Sequence, residues 1–282
     1  MNVRPADGAR TGAPAQRAAT HPLLRMTAGV ACLLLAFALL RGVIETLPGS
    51  EELHEAWRAL LGALCLYYVY KAYARVVEQR EASELAVAGC WRDAGSGITA
   101  GAALFGLALG MLYMAGAYEV TGIDLWASIT AALCAVLVAG LLEELVMRGV
   151  LFRIAEQWLG TWPVLAASML LCAMLRMADG DANWIGVLSA AIQALLLGAA
   201  YIATRRLWLG LGIQAAWSIA QDGIFALPAP GGTGEGIIVG VLSGPAWLTG
   251  GAFGISHSLP GLAALAIGAL LMLSVVGKEN IR

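Results

Sequence analysis

Long apolar runs alternate with short polar connections along most of the chain, and this alternation is the main structural signal in the sequence. A helix of about 20 apolar residues crosses a bilayer core. Only helices and closed barrels satisfy backbone groups in lipid, and these runs are too long and continuous for barrel strands. The pattern predicts an all-α, polytopic membrane protein of about eight transmembrane helices. The expected spans are 26–44, 59–77, 96–117, 125–146, 162–177, 184–203, 207–221 and 260–276.

The composition supports a membrane protein and argues against several other classes. Of the 282 residues, 60% are hydrophobic and 13% are charged, whereas soluble domains carry about 25% charged residues. A formal net charge of -2 gives no reason to expect a nucleic-acid partner. The five cysteines form no CxxC pair, so we expect small apolar packing residues and no disulfide or metal site. Gly106 and Gly110, four apart in the third span, predict a face for close helix packing.

The placement of Lys and Arg predicts three regions and an orientation. Residues 1–25 hold four Arg and are expected to form a disordered cytoplasmic tail. Residues 26–124 are expected to form N-terminal membrane helices with an interfacial segment at Glu78–Arg92, and residues 125–282 a membrane core. The connection 222–259 contains no Lys or Arg, which is typical of the opposite side. We therefore expect an integral protein of the plasma (inner) membrane with both termini in the cytoplasm.

The densest group of ionisable residues within a span is Glu143, Glu144 and Arg148, which we expect at the cytoplasmic end of the fourth span. Glu144 and Arg148 are four residues apart and can pair on one helix face. Glu143 is rotated by about 100° and must face another neighbour. Adjacent carboxylates in an apolar setting repel each other, and one of them could act as a general base on water. An ion pair that only closes a helix end explains the same pattern.

The motif Glu143-Glu144-x-x-x-Arg148 resembles the first motif of the CPBP intramembrane proteases, also called the CAAX-protease or ABI family. Three further stretches resemble other family motifs in the same order and with similar spacing. They are Ser168–Arg176 (a span ending Phe-x-x-x-His in the family), Leu207–Ser218 (His-x-x-Trp-Asn) and the Gly-rich Leu248–Gly254. The resemblance covers about residues 125–275. It implies a membrane-helix core, intramembrane endopeptidase activity and a membrane-anchored or lipidated peptide as substrate or partner.

The family's catalytic centre consists of one Glu of the pair and two motif histidines, and both histidines are replaced here. Arg176 and Gln214 stand in their places, and Ser218 replaces the motif Asn. Arg stays protonated and has no acceptor, so Arg176 can be neither a base nor a metal ligand. Gln is a poor ligand for zinc, so we expect no metal and no other cofactor. The resemblance with these substitutions predicts a cavity that keeps polar groups and loses its chemistry.

The remaining polar residues leave two placements open. His257 is expected to be solvated in a Gly-rich extracytoplasmic loop, although a re-entrant segment at 243–259 would bring it into the site. Asp222, at the end of the seventh span, could pair with a neighbour or line a cavity mouth. Arg176 beside Glu143 or Glu144 would neutralise a carboxylate, but the span boundaries place Arg176 far from Glu144, so either the boundary or this pairing is wrong.

Three functions therefore remain open from the sequence. The first is a catalytically degenerate family member that binds a membrane or lipid-linked peptide. The second is an active intramembrane peptidase with a variant Glu-based centre, in which Gln214 and Ser218 position water and an oxyanion. The third is a small transporter or channel with the buried charges along its pathway. In each case the surrounding partner is membrane lipid.

Overall fold

The computed structural model describes residues 21–46, 48, 50–124, 130–178, 183–225, 227 and 236–279. The helices are α1 (Pro22–Glu45), α2 (Glu51–Val76), α3 (Cys90–Met114), α4 (Thr130–Glu144), α5 (Arg153–Leu159), α6 (Thr161–Ala178), α7 (Trp184–Thr204), α8 (Trp208–Ser218), α9 (Ala246–Thr249) and α10 (Leu259–Glu279). Strands β1 (Tyr118–Ile123) and β2 (Ile238–Leu242) pair antiparallel in a two-stranded sheet. The predicted all-α fold is confirmed, with this small sheet as its addition.

Five helices are long and apolar enough to cross a membrane, among the residues that the structure describes. They are Pro22–Glu45, Cys90–Met114, Thr161–Ala178, Trp184–Thr204 and the segment Gly251–Gly277. Large apolar side chains on α1 and α10 point outward, with Leu39 70% and Leu270 67% exposed. The protein is therefore an integral, polytopic membrane protein. The further predicted spans fall in α2, α4 and α8, so a count of eight stays a prediction.

Two predicted helix starts differ from the structure. The first helix begins at Pro22, so residues 22–25 are helical and do not belong to a tail. Residues 1–20 lie outside the described part, and the disordered tail stays a prediction there. The second helix begins at Glu51, well before the predicted residue 59, because two polar turns precede its apolar run. Ser50 stabilises that start by accepting a hydrogen bond from the Leu53 amide, at 3.4 Å.

Irregular helical turns interrupt the two elements that carry the motif residues. A π-helical segment, Leu145–Phe152, joins α4 to α5 without a break, and a second, Ile219–Ile224, continues α8. Residues 130–159 are therefore one continuous helical element, and the Glu143–Glu144 pair lies near its middle. This corrects the expectation that the pair ends a span. Wide turns of this kind often occur at functional sites.

Close packing between α3 and α8 depends on glycines other than the predicted pair. A Cβ added at Gly97 would lie 2.3 Å from the carbonyl oxygen of Leu209, and Gly212 on α8 meets the backbone of α3 equally closely. A Cβ at Gly106 or Gly110 would meet nothing within 4 Å. The predicted packing role of Gly106 and Gly110 is therefore wrong, because no described helix lies close to that face of α3.

Buried ion pairs join the segment between α2 and α3 to α1 and α5. Glu78 accepts a hydrogen bond from Arg25 at 2.6 Å and contacts Arg153, while Arg80 pairs with Glu84 at 2.6 Å. Burial alone would raise the pKa of Glu78, but the hydrogen bonds and charges of these arginines outweigh it and hold that pKa below its ordinary value. The network fixes the connection against the first and fifth helices.

The same network satisfies a carbonyl of the π-helical segment. Gly149 offers its carbonyl oxygen to the Tyr70 hydroxyl at 2.9 Å and to Arg153 Nε at 2.8 Å. A Cβ at Gly149 would lie 3.0 Å from the Tyr70 ring, so a larger residue would press against that ring. Side chains outside the motif therefore support the irregular turns that follow Glu144.

Candidate functional site

A cavity of about 630 Å³ lies between the middle of the 130–159 element, α6, α7, α8 and the 3₁₀ segment Gly251–His257. Its lining contains five of the six residues predicted from the sequence: Glu143, Arg148, Arg176, Gln214 and Ser218. The sixth, Glu144, is buried beside the cavity and does not line it. The cavity is therefore the place where the three motif regions meet.

Arg176 reaches the cavity because α6 runs back along the 130–159 element. Gly160 separates the two elements, and Glu143 precedes it by about as many residues as Arg176 follows it. At 1.5 Å of rise per residue, the two side chains therefore lie at a similar height in the helical hairpin. The predicted end of the fourth span near residue 146 is wrong, because the helix continues to residue 159, and Arg176 lines the same cavity as Glu143.

Glu144 and Arg148 form the buried ion pair that their spacing predicts. The distance from Arg148 Nη1 to Glu144 Oε1 is 3.1 Å, and the two side chains are only 3% and 1% exposed. Glu144 faces α8, where a Cβ added at Gly210 would lie 3.1 Å from its Oε2. A residue larger than Gly at position 210 would crowd the carboxylate. Glu144 is thus packed between helices and does not line the cavity.

Glu143 is the carboxylate that faces the cavity. Its side chain is exposed there, and Gln214 Nε2 donates a hydrogen bond to its Oε2 at 2.6 Å. The other end of the Gln214 amide, Oε1, is buried without a hydrogen-bond partner among the described residues. The two carboxylates therefore have different environments: Glu143 faces the cavity, and Glu144 is buried between helices.

His257 also lines this cavity, and only 2% of it is exposed. Its ring stacks at 4.8 Å on Phe253 and lies directly against Gly186 near the start of α7, where an added Cβ would come within 1.9 Å of Cδ2. The expectation of a solvated His257 is wrong. The turn at Gly250, with φ +80 and no room for a Cβ, folds this segment back onto α7.

Three more polar side chains, Gln221, Asp222 and Ser256, line the cavity. Trp217 Nε1 donates to Ser256 Oγ at 3.0 Å, and the Ser256 hydroxyl donates to the Gln221 side-chain oxygen at 2.7 Å. Asp222 lines the cavity, and its Oδ1 is buried without a hydrogen-bond partner among the described residues. Of these, Asp222 was a sequence candidate for a cavity wall. Gln221 and Ser256 had no signal beyond being polar within apolar stretches.

The donor set of the cavity does not fit a metal ion. Within the described ranges, no group of three or more His, Cys, Asp and Glu side chains is placed to hold one. Arg176 offers no lone pair, and Gln214 donates its amide nitrogen to Glu143.

Comparison with known proteins finds one family that the middle of the chain resembles. Residues 124–220 match the family model described as type II CAAX prenyl endopeptidase Rce1-like. No curated protein and no solved structure matches the chain. The matched residues include all three motif regions around the cavity and end before the segment that supplies His257. Residues 124–220 are therefore similar to the Rce1-like family of type II CAAX prenyl endopeptidases.

Proposed function

We propose that this protein is a non-proteolytic relative of these endopeptidases, which binds a membrane-anchored or lipidated peptide in the cavity without cleaving it. The observation that carries the proposal is the 2.6 Å hydrogen bond from the Gln214 amide to Glu143. Gln214 stands at the position where the resemblance places a histidine.

Hydrolysis needs a group that removes a proton from water and passes it to the leaving amine. A Gln amide nitrogen cannot accept a proton, and it covers one oxygen of the carboxylate that could. Arg176 stays protonated, so it can neutralise charge but cannot relay a proton. Glu143 is thereby left without a partner of the imidazole type at either motif position.

The remaining polar groups suit binding of a peptide. A volume of about 630 Å³ is within the range of about 300–1,000 Å³ that is usual for ligand sites. Arg148 and Arg176 offer donors to carboxylate or carbonyl oxygens, while Glu143 and Asp222 offer acceptors to peptide N–H groups. Exposed apolar side chains on the outer face of α6, such as Leu170, give a lipid anchor an apolar surface.

The test has a cleavage arm and a binding arm, both on purified full-length protein in liposomes. In the cleavage arm, membrane-anchored and prenylated peptides are incubated with wild type, Glu143→Ala and the double variant Arg176→His/Gln214→His. We expect hydrolysis from the double variant only. Hydrolysis by wild type that Glu143→Ala abolishes would overturn the proposal.

The binding arm uses a photo-crosslinking prenylated peptide. We expect wild type to be labelled and Ser218→Phe, which fills the cavity, to lose most of the label. Ser274→Phe is the matched control, because Ser274 is exposed on α10 away from the cavity. Equal labelling of both variants would contradict binding in the cavity.

A second candidate function is supported by His257. Its ring lines the cavity that contains Glu143, so an active centre could use an imidazole from outside the motifs. In that case wild type would hydrolyse peptides, and both His257→Gln and Glu143→Gln would abolish the activity. The same cleavage assay therefore distinguishes the two candidates.

A further inference from the structure

A second pocket, of about 370 Å³, lies between the last turns of α2 and the connection that follows it. It is outside the Rce1-like region and far along the chain from the cavity residues. Its lining includes three cationic side chains, Lys71, Arg75 and Arg80, and the acidic side chain Glu81. The pocket therefore carries a surplus of positive charge.

Two of these cations, Lys71 and Arg75, form no ion pair with a carboxylate among the described residues. Arg80 is held by Glu78 and Glu84, whereas no ion pair joins Lys71 or Arg75 to a carboxylate in the described part of the chain. The Lys71 ammonium lies 5.1 Å from a Tyr67 ring. Lys71 and Arg75 are four residues apart, a spacing at which like charges destabilise a helix. An anion between them would remove that repulsion.

The apolar surface beside the pocket indicates where the anion comes from. Leu60, Leu64 and Tyr68 are 57%, 46% and 63% exposed and follow each other at intervals of four along α2. At 100° per residue, these three and the two cations fall within an arc of about 80° on one helix face. An exposed apolar stripe therefore runs along α2 to the positive charges near its C-terminal end.

We propose that this pocket binds the phosphate of an anionic phospholipid between Lys71 and Arg75, with the acyl chains along the apolar stripe of α2. Ser83, which also lines the pocket, offers a hydroxyl to the same headgroup. Basic clusters at the end of a membrane helix attract anionic lipids in this way. The site does not depend on what the first cavity binds or cleaves.

Native mass spectrometry of the full-length protein in detergent, titrated with phosphatidylglycerol or phosphatidylcholine, tests the proposal. Wild type should retain phosphatidylglycerol preferentially, and Lys71→Gln/Arg75→Gln should bind it roughly 30-fold more weakly. The control Arg41→Gln/Arg92→Gln removes two exposed cations outside the pocket and should change binding by less than about threefold.

A charge-preserving variant separates loss of the site from loss of the fold. Lys71→Arg/Arg75→Lys should retain the lipid as wild type does, because the site requires two cations and not a particular arrangement of hydrogen bonds. Equal weakening in the pocket variant and the control variant would overturn the proposal. Competition by inorganic phosphate as strong as that by phosphatidylglycerol would also overturn it, since the ligand would then be a soluble phosphate.

Discussion

Removing the positive member of the buried Glu144–Arg148 pair should be among the most destabilising single substitutions in the protein. Arg148→Met keeps the apolar stem and deletes the cation 3.1 Å from Glu144 Oε1. Glu144 is 1% exposed and packs against Gly210, so its carboxylate stays buried when its partner is removed. Breaking a buried pair in this way costs about 3–5 kcal/mol, because it leaves an uncompensated buried charge.

The assay is reversible unfolding in mixed micelles by titration with dodecyl sulfate, with the free energy of unfolding compared between variants. The matched control is Glu143→Gln, one residue away and exposed to the cavity, which should change stability by about 0.5 kcal/mol or less. The double variant Glu144→Gln/Arg148→Met should recover a large part of the loss, because no buried charge remains.

Two results would refute this reasoning. If Arg148→Met were no less stable than Glu143→Gln, the pair would contribute nothing to the fold. If Glu144→Gln/Arg148→Met lost as much stability as the single variants Glu144→Gln and Arg148→Met added together, Glu144 and Arg148 would not interact energetically.

Three further predictions concern helix packing, the histidine and the ion network. Gly97→Ala should destabilise the protein by roughly 1–3 kcal/mol in the same unfolding assay, whereas Gly106→Ala should be nearly neutral. Gly186→Ala should displace His257, and faster modification of that residue by diethyl pyrocarbonate, quantified by mass spectrometry, would show it. Glu78 has a folded-state pKa below its ordinary 4.5, so its stabilisation is present above about pH 4.5 and is lost as the pH falls toward the folded pKa. Unfolding of Glu78→Gln between pH 7 and 4 should therefore depend less on pH than that of wild type.

The helices could be predicted from the sequence because lipid requires long apolar runs, and each expected span overlaps an observed helix. The ends of a helix are harder to predict where polar turns extend it beyond its apolar run. The start of α2 at Glu51 and the continuation of α4 through residue 152 both occur in segments with charged residues. Periodicity also could not identify the glycine face that α3 presents to α8, because several glycines in α3 share the same spacing.

The site could be predicted in part for a related reason. Spacing alone identified the pairing of Glu144 with Arg148, since residues four apart meet on one helix. The meeting of Glu143 with Gln214 and the position of His257 depend on contacts between distant segments. Local sequence carries little information on such contacts. For His257, the informative local signal was the run of glycines before it, which allows the chain to fold back into the cavity.

The two glutamates of the motif have different physical roles, and this affects what their presence means. Glu144 and Arg148 form a buried pair whose loss would cost the fold several kcal/mol, whatever the chemistry of the cavity. Glu143 faces the cavity and accepts a hydrogen bond from Gln214, so its role depends on the polar groups around it. A chain that lost proteolysis would still need the first pair to fold. The motif Glu143-Glu144-x-x-x-Arg148 therefore indicates the fold of this region, whereas activity depends on the polar side chains that share the cavity with Glu143.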